Sequence, residues 1–333
     1  MASGDKTLIP AMAAGFVALD GEITKGSGDT LNTPEAMINI GGNGYGYVLD
    51  AQTDWDPTAN GDGTVGSLAL GDDVYVYAVR DASGKASLVA SKNTTTPSGY
   101  TADNSRKLCG FHCGRTRPTS EAYNAGFACP TEIIPNSVWD LQHRPKCDPT
   151  GMVEVIPGML WMDIYLASED GTAWPDTIPL SEYNATPMTG DEGYALYYDY
   201  LRLARNAGKR LPTTGEWLAA AYGVPQGATG QGGRINTGQM TGYGFDCVSC
   251  LNIDQPSGNL RQTADGLFNE DNASGWTTSP DAGKDSAEDH GYAYGSNMRV
   301  MTMGGYWDFA SEAGARCARR YYPWGVYSNF GFR

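Results

Sequence analysis

The segment GGYWDFASEAGARCARRYYPWGVYSNFGFR, from Gly304 to Arg333, alternates residues that fix a backbone with residues that fill a surface. Gly304, Gly305, Trp307, Gly314, Arg316, Pro323, Gly331 and Arg333 are the anchors, because glycine and proline set backbone geometry and large Trp and Arg side chains hold it. Between them stand Tyr306, Asp308, Phe309, Ser311, Arg319, Arg320, Tyr322, Trp324, Val326, Tyr327 and Asn329. Tyr and Trp give large contact area with few rotatable bonds, and Arg adds forked donors, which is the composition of a recognition surface. Composition alone serves a pair of aromatic core strands equally well.

Charge narrows the partner. The chain has 23 Lys and Arg against 38 Asp and Glu, a formal net charge of −15, which argues against nucleic acid or an anionic membrane surface. Residues 299–333 run the other way, with Arg299, Arg316, Arg319, Arg320 and Arg333 against Asp308 and Glu312. A cationic, aromatic face on an acidic body is steered toward acidic or sugar-bearing surfaces. Arg316 and Arg333 read instead as buried hydrogen-bonding staples.

At 333 residues the chain is long enough for two domains, and 44 Gly, 18 Pro and 20 Tyr favour strands, turns and loops over helix. Residues 1–115 alternate apolar and polar around Gly-rich turns, as in Tyr45 to Asp50, and Asp73 to Asp81 with Ala86 to Lys92 reads as a β-hairpin. In residues 116–333, Leu196, Tyr197, Tyr200, Leu201, Leu203 and Ala204 lie at helical spacing, with Gly208 as the stop. Thr213 and Glu216 fit a capping box opening a second helix that runs to Gly223. From Val224 to Asn297 the chain reads as loop.

Catalytic signatures are weak. The three histidines, His112, His143 and His290, sit in no H-E-x-x-H pattern, and neither G-x-S-x-G nor a Walker A run occurs; each histidine reads as structural. Gly61, Gly63 and Gly66 spell G-x-G-x-x-G but follow a turn and lead to no helix. Asp54, Asp56, Asn60 and Asp62 carry hard oxygens suited to calcium at spacing that misses the EF-hand, so an exposed turn is expected. Seven cysteines, an odd count, fit reduced thiols assembled in a bacterial cytoplasm. Cys247 and Cys250 have metal or redox spacing without a second C-x-x-C, and Cys109, Cys113, Cys129 and Cys147 leave a structural metal or a disulfide open. The apolar run Leu8 to Leu19 is preceded by Asp5 and interrupted by Pro10 and Gly15, so no cleaved signal is expected.

The terminal run, Gly304-Gly305-x-Trp307, then Gly314-x-Arg316, Pro323 and Gly331-x-Arg333, resembles the C-terminal motif of two groups that share a C-type-lectin-like fold. One is the formylglycine-generating enzymes. The other is the variable proteins of diversity-generating retroelements, which include bacteriophage tropism determinants at tail-fibre tips. The likeness to the second group extends through Pro97 to Gly114, Ser137 to Met152, Trp161 to Ser168 and Gly208 to Gly223, and is less clear over the first ninety residues.

The resemblance implies an α+β chain: a β-sandwich-like module over 1–115, then a C-type-lectin-like domain over 116–333 with a variable region at 304–333. It also implies a host-surface receptor as partner, tail-fibre components, a homotrimer, a place in the virion, and neither cofactor nor membrane insertion. Phe309 and Gly314 stand where the enzymes carry their reactive cysteines, so no oxidase chemistry is expected. An enzyme of that type or a sulfoxide synthase is the alternative, and a bacterial surface adhesin is a second.

Overall fold

The computed structural model describes residues 6–8, 14–227, 232–269, 276–278, 284, 292–294 and 298–333. His290 and residues 9–13 of the apolar run lie outside them. The chain forms two compact units: residues 1–114 with 131–145, and residues 115–130 with 146–333.

The first unit is built of strands. The expected hairpin forms from β1 (Asp73–Arg80) and β2 (Ala86–Ser91), in register from Tyr75 opposite Ser91 to Arg80 opposite Ala86. Gly84, at φ 83°, turns the chain between them, and the Asp81 carboxylate accepts from the Lys85 N–H at 2.9 Å. Six consecutive residues of β1 are buried, so this strand carries apolar side chains on both faces rather than alternating. On its other edge lies β3 (Ser105–Arg115). Gly110 on β3 has no room for a side chain, since a Cβ there would sit 2.7 Å from the Trp139 ring. Leu31, Ile38, Val74, Val76, Ala78 and Ala90, all fully buried, draw three sheets into one core.

In the second unit, α1 (Tyr198–Asn206) buries Tyr200, Leu203 and Ala204 from the expected apolar stripe. Gly208, at φ 70°, ends it, and the Lys209 N–H caps the Ala204 carbonyl at 2.8 Å. The capping box closes as expected: the Glu216 N–H donates to Thr213 Oγ1 at 3.3 Å and Glu216 Oε2 accepts from the Thr213 N–H at 2.8 Å. The helix it opens, α2 (Thr214–Ala220), stops three residues short of Gly223.

The loop reading of Val224 to Asn297 is corrected. That stretch contains β4 (Arg261–Asn269), which lies inside a four-stranded sheet between β5 (Met298–Met303) and β7 (Phe330–Gly331), with β6 (Ala318–Tyr321) at the edge beyond β5. The sequence RQTADGLFN has neither a β-branched run nor clean alternation, and Gly266 sits at φ 121° where the register with β5 shifts. Its strand character comes from partners 29 to 69 residues away, which a local pattern does not carry.

Candidate binding face

The terminal segment leaves β5 through Gly304 and Gly305, at φ 87° and 74°. A Cβ on Gly304 would lie 2.4 Å from the Pro256 carbonyl oxygen, so both backbone angle and space demand glycine. The following loop turns back through a 3₁₀ turn at Ala310–Glu312 and closes where the Gly314 N–H meets the Gly304 carbonyl at 3.2 Å. After β6, residues 322–329 are stitched to residues 190–197: the Tyr197 N–H donates to the Pro323 carbonyl, Leu196 to Gly325 and Gly190 to Tyr327, at 2.9–3.0 Å. The backbone is thus fixed by hydrogen bonds at both loops.

The structure leaves all eleven predicted face residues at least partly open. Asp308, Ser311, Arg319, Arg320, Tyr322 and Tyr327 are exposed, and Tyr306, Phe309, Trp324, Val326 and Asn329 are half-buried. They collect into two groups. In one, Tyr306 and Phe309 meet edge to face at 4.8 Å, Tyr321 packs on Tyr327 at 5.5 Å, and the Arg319 guanidinium lies 5.1 Å from the Tyr321 ring. In the other, Tyr322 and Trp324 stack at 5.3 Å and 20°, with Arg299 3.9 Å from the Tyr322 ring. Asp308 Oδ2 accepts from the Tyr306 hydroxyl at 3.2 Å, and the Ser311 carbonyl accepts from Gln226 Nε2 at 3.0 Å. Val326 and Asn329 join neither ring group; the Asn329 carbonyl accepts the Arg261 N–H at 3.1 Å.

Of the anchors, Gly304, Gly305, Gly314, Pro323, Gly331 and Arg333 are buried and Trp307 is half-buried. Arg316 is exposed, which corrects its reading as a buried staple: it sits in the turn closed by the Cys317 N–H on the Gly314 carbonyl at 3.0 Å. Arg333 fills that role. Its guanidinium donates to the Gln262 side chain and to the carbonyls of Asp163, Ile164, Asp254 and Gln255 at 2.5–3.3 Å. Burial brings its pKa down to about 10.

Two contributors escaped sequence reasoning: Arg299 was visible only as part of the charge excess, and Arg261 comes from β4, whose sequence gave no sign of reaching the face. Tyr321, one of the segment's large aromatic side chains, joins them though it is not among the eleven face residues.

Elsewhere the polar motifs are absorbed by structure. His112 Nδ1 is 2.8 Å from Asp73 Oδ1 and His143 Nδ1 is 2.9 Å from Asp140 Oδ2. Asp54, Asp56 and Asp62 take hydrogen bonds from neighbouring Thr and Ser groups, which hold Asp54 and Asp56 below the usual carboxylate range. All seven cysteines are free, and Cys247 and Cys250 turn to different acceptors, the carbonyls of Ser257 and Pro118. Among the described residues no group of three or more His, Cys, Asp or Glu is placed to hold a metal. Among them, too, no helix is long and apolar enough to cross a membrane.

Residues 23–140 match the family described as the Mtd second domain. A tail fiber receptor-binding protein of Bordetella phage BPP-1 is 28% identical over 272 residues, which is 78% of this chain and 68% of that relative. Among solved structures, the Major Tropism Determinant I1 variant superposes with a TM-score of 0.73 at 23% identity, covering 99% of this chain and 85% of its own. The P3c variant does so at 0.71 and 24%, with the same coverage. The first ninety residues, whose likeness to the family is less clear by eye, are covered as well: the family model matches from residue 23, and the superposition spans 99% of the chain. Domain match, relative and shared β-rich architecture agree that the chain is similar to the phage major tropism determinants.

Proposed function

We propose that this chain is a receptor-binding protein of a phage tail fibre, and that residues 304–333 form the face that meets the host surface. The observation that carries the reading is the separation of scaffold from side chain: glycines and backbone hydrogen bonds fix the segment, while Tyr322, Trp324, Arg319, Arg320 and Tyr327 project from it half-buried or exposed. Exposed aromatic and Arg side chains on a rigid support are the composition of interface hot spots. The named relative, a tail fiber receptor-binding protein, supports the same conclusion.

Several finer elements belong to this reading. The first unit serves as a β-sandwich-like module and the second as an α+β, C-type-lectin-like display domain. Binding is non-covalent, without turnover or cofactor. The protein acts as a homotrimer in the virion, which lets weak sites add through avidity. Diversification by a retroelement would target the side chains between the anchors, and an adjacent near-copy of the gene's 3′ end beside a reverse transcriptase would reveal it. The direct test is adhesion of labelled protein to bacterial cells, compared with a Tyr322→Ala, Trp324→Ala double variant. Saturable adhesion lost in the variant supports the reading, and equal adhesion of both proteins refutes it.

A further inference from the structure

Three arginines in the second unit are almost fully buried, and in two of them every guanidinium nitrogen donates to an acceptor. Arg117, 1% exposed, donates to the carbonyls of Glu121, Asn124, Asp246 and Val248. Arg333 has the five acceptors described above. Arg261, 2% exposed, is different: its Nε and Nη1 are buried with no hydrogen-bond partner, and among the described residues no carboxylate pairs with it. Apart from a hydrogen bond with the Tyr306 side chain, its surroundings are rings. The guanidinium carbon lies 4.1 Å from the Tyr306 ring centre, 4.5 Å from Phe309, 4.9 Å from Phe330 and 5.1 Å from Tyr321.

Aromatic faces compensate a buried cation only in part, because they attract its charge without accepting its N–H groups. Tyr306 and Phe309 belong to the proposed face and are half-buried, so the unsatisfied donors sit against rings that reach that face. Arg319, 6.0 Å from the Phe309 ring, adds a second positive charge at the same spot.

Resting on the receptor-binding reading above, we propose that Arg261 is the fixed cation of this face and that the receptor feature it takes is a carboxylate. A flat monoanion matches guanidinium donors set among rings. A phosphate dianion carries more charge to desolvate among four rings, which disfavours it. Entry requires only that the Tyr306 or Phe309 ring turn aside. Arg261 then determines specificity from below, whatever side chains stand around it.

The test is the arginine Nε–Hε spectrum of the ¹⁵N-labelled full chain, with the Arg261 signal assigned by its loss in Arg261→Lys. Titrants are acetate, glucuronate against glucose, and N-acetyl-aspartate methylamide against the asparagine counterpart. The expected result is a saturable shift of the Arg261 signal with each carboxylate and none with its neutral partner. The tighter of glucuronate and the aspartate derivative indicates whether the carboxylate belongs to an acidic sugar or a protein side chain. Tyr306→Ala, which opens the path and frees the donors of Arg261 while leaving Arg261 itself in place, should tighten acetate binding several-fold, and it keeps the test usable if Arg261→Lys fails to fold. No shift in either wild type or Tyr306→Ala, or an equal shift from sodium chloride at matched ionic strength, overturns the proposal. A chain that adheres to cells without any carboxylate response refutes the role of Arg261 and leaves the receptor-binding reading standing.

Discussion

Arg333 Nη2 donates to the Asp254 carbonyl oxygen at 2.9 Å, while the Asp254 side chain lies buried, with Oδ2 3.5 Å from Arg115 Nη1 and Oδ1 unpartnered. The terminal arginine therefore holds the backbone at a place where a carboxylate is also being kept out of water. Losing the guanidinium orphans several buried acceptors at once, and each unsatisfied group costs roughly 1–3 kcal/mol. Arg333→Ala should destabilise the second unit by about 3 kcal/mol or more, measured by denaturant unfolding. Arg316→Ala, at an exposed turn, should stay within about 0.5 kcal/mol. Equal losses would restore Arg316 as a staple.

The same neighbourhood has a pH dependence of definite sign. Burial raises the Asp254 pKa to about 6, against the opposing pull of Arg115 and Arg333. A carboxyl raised in the folded state contributes stability that is fully present below its unfolded value near 4 and is lost as pH rises through about 6. Asp254→Asn should remove that loss, so the variant gains about 1–3 kcal/mol on wild type between pH 4 and 7. Unfolding curves across this range check it, and a wild type that stabilises as pH rises from 4 to 6 while Asp254→Asn stays flat would contradict it.

Gly304→Ala should be among the most damaging small substitutions in the terminal segment. It adds a side chain at φ 87° and drives its Cβ toward the Pro256 carbonyl. A loss of about 2 kcal/mol or more is expected from the combined strain and clash. Gly215→Ala, in helix α2 with open space around it, should be neutral or stabilising.

How much of this was legible depended on how local the cause was. The Asp73–Arg80 hairpin, the Gly208 stop and the Thr213 and Glu216 box are each written within a few neighbouring residues, and all three formed. The exposed aromatic series was legible because glycine spacing marks where a backbone is fixed. The strand Arg261–Asn269 was not, because its pairing partners lie far along the chain. Arg261 was lost with it, and Arg316 was misassigned because charge type alone does not tell a turn from a core.

Assembly can be tested separately. A homotrimer predicts a sedimentation mass about three times that of the chain, unchanged on dilution through the micromolar range. A monomer would leave each face to bind with only its own affinity.

The central claim is that the side chains of the terminal segment bind while its backbone folds, and Tyr322 with Trp324 tests it most directly. The pair stacks at 5.3 Å on a loop whose backbone is held by Leu196 and Tyr197, with Tyr322 38% exposed. Thermal melts and cell adhesion should be measured on the same preparations of Tyr322→Ala and Trp324→Ala. The account predicts melts close to wild type, with changes of about 1 kcal/mol or less, and adhesion abolished. Melts lowered as far as those of Arg333→Ala, with adhesion surviving in the folded fraction, would show the pair to be core and contradict the account.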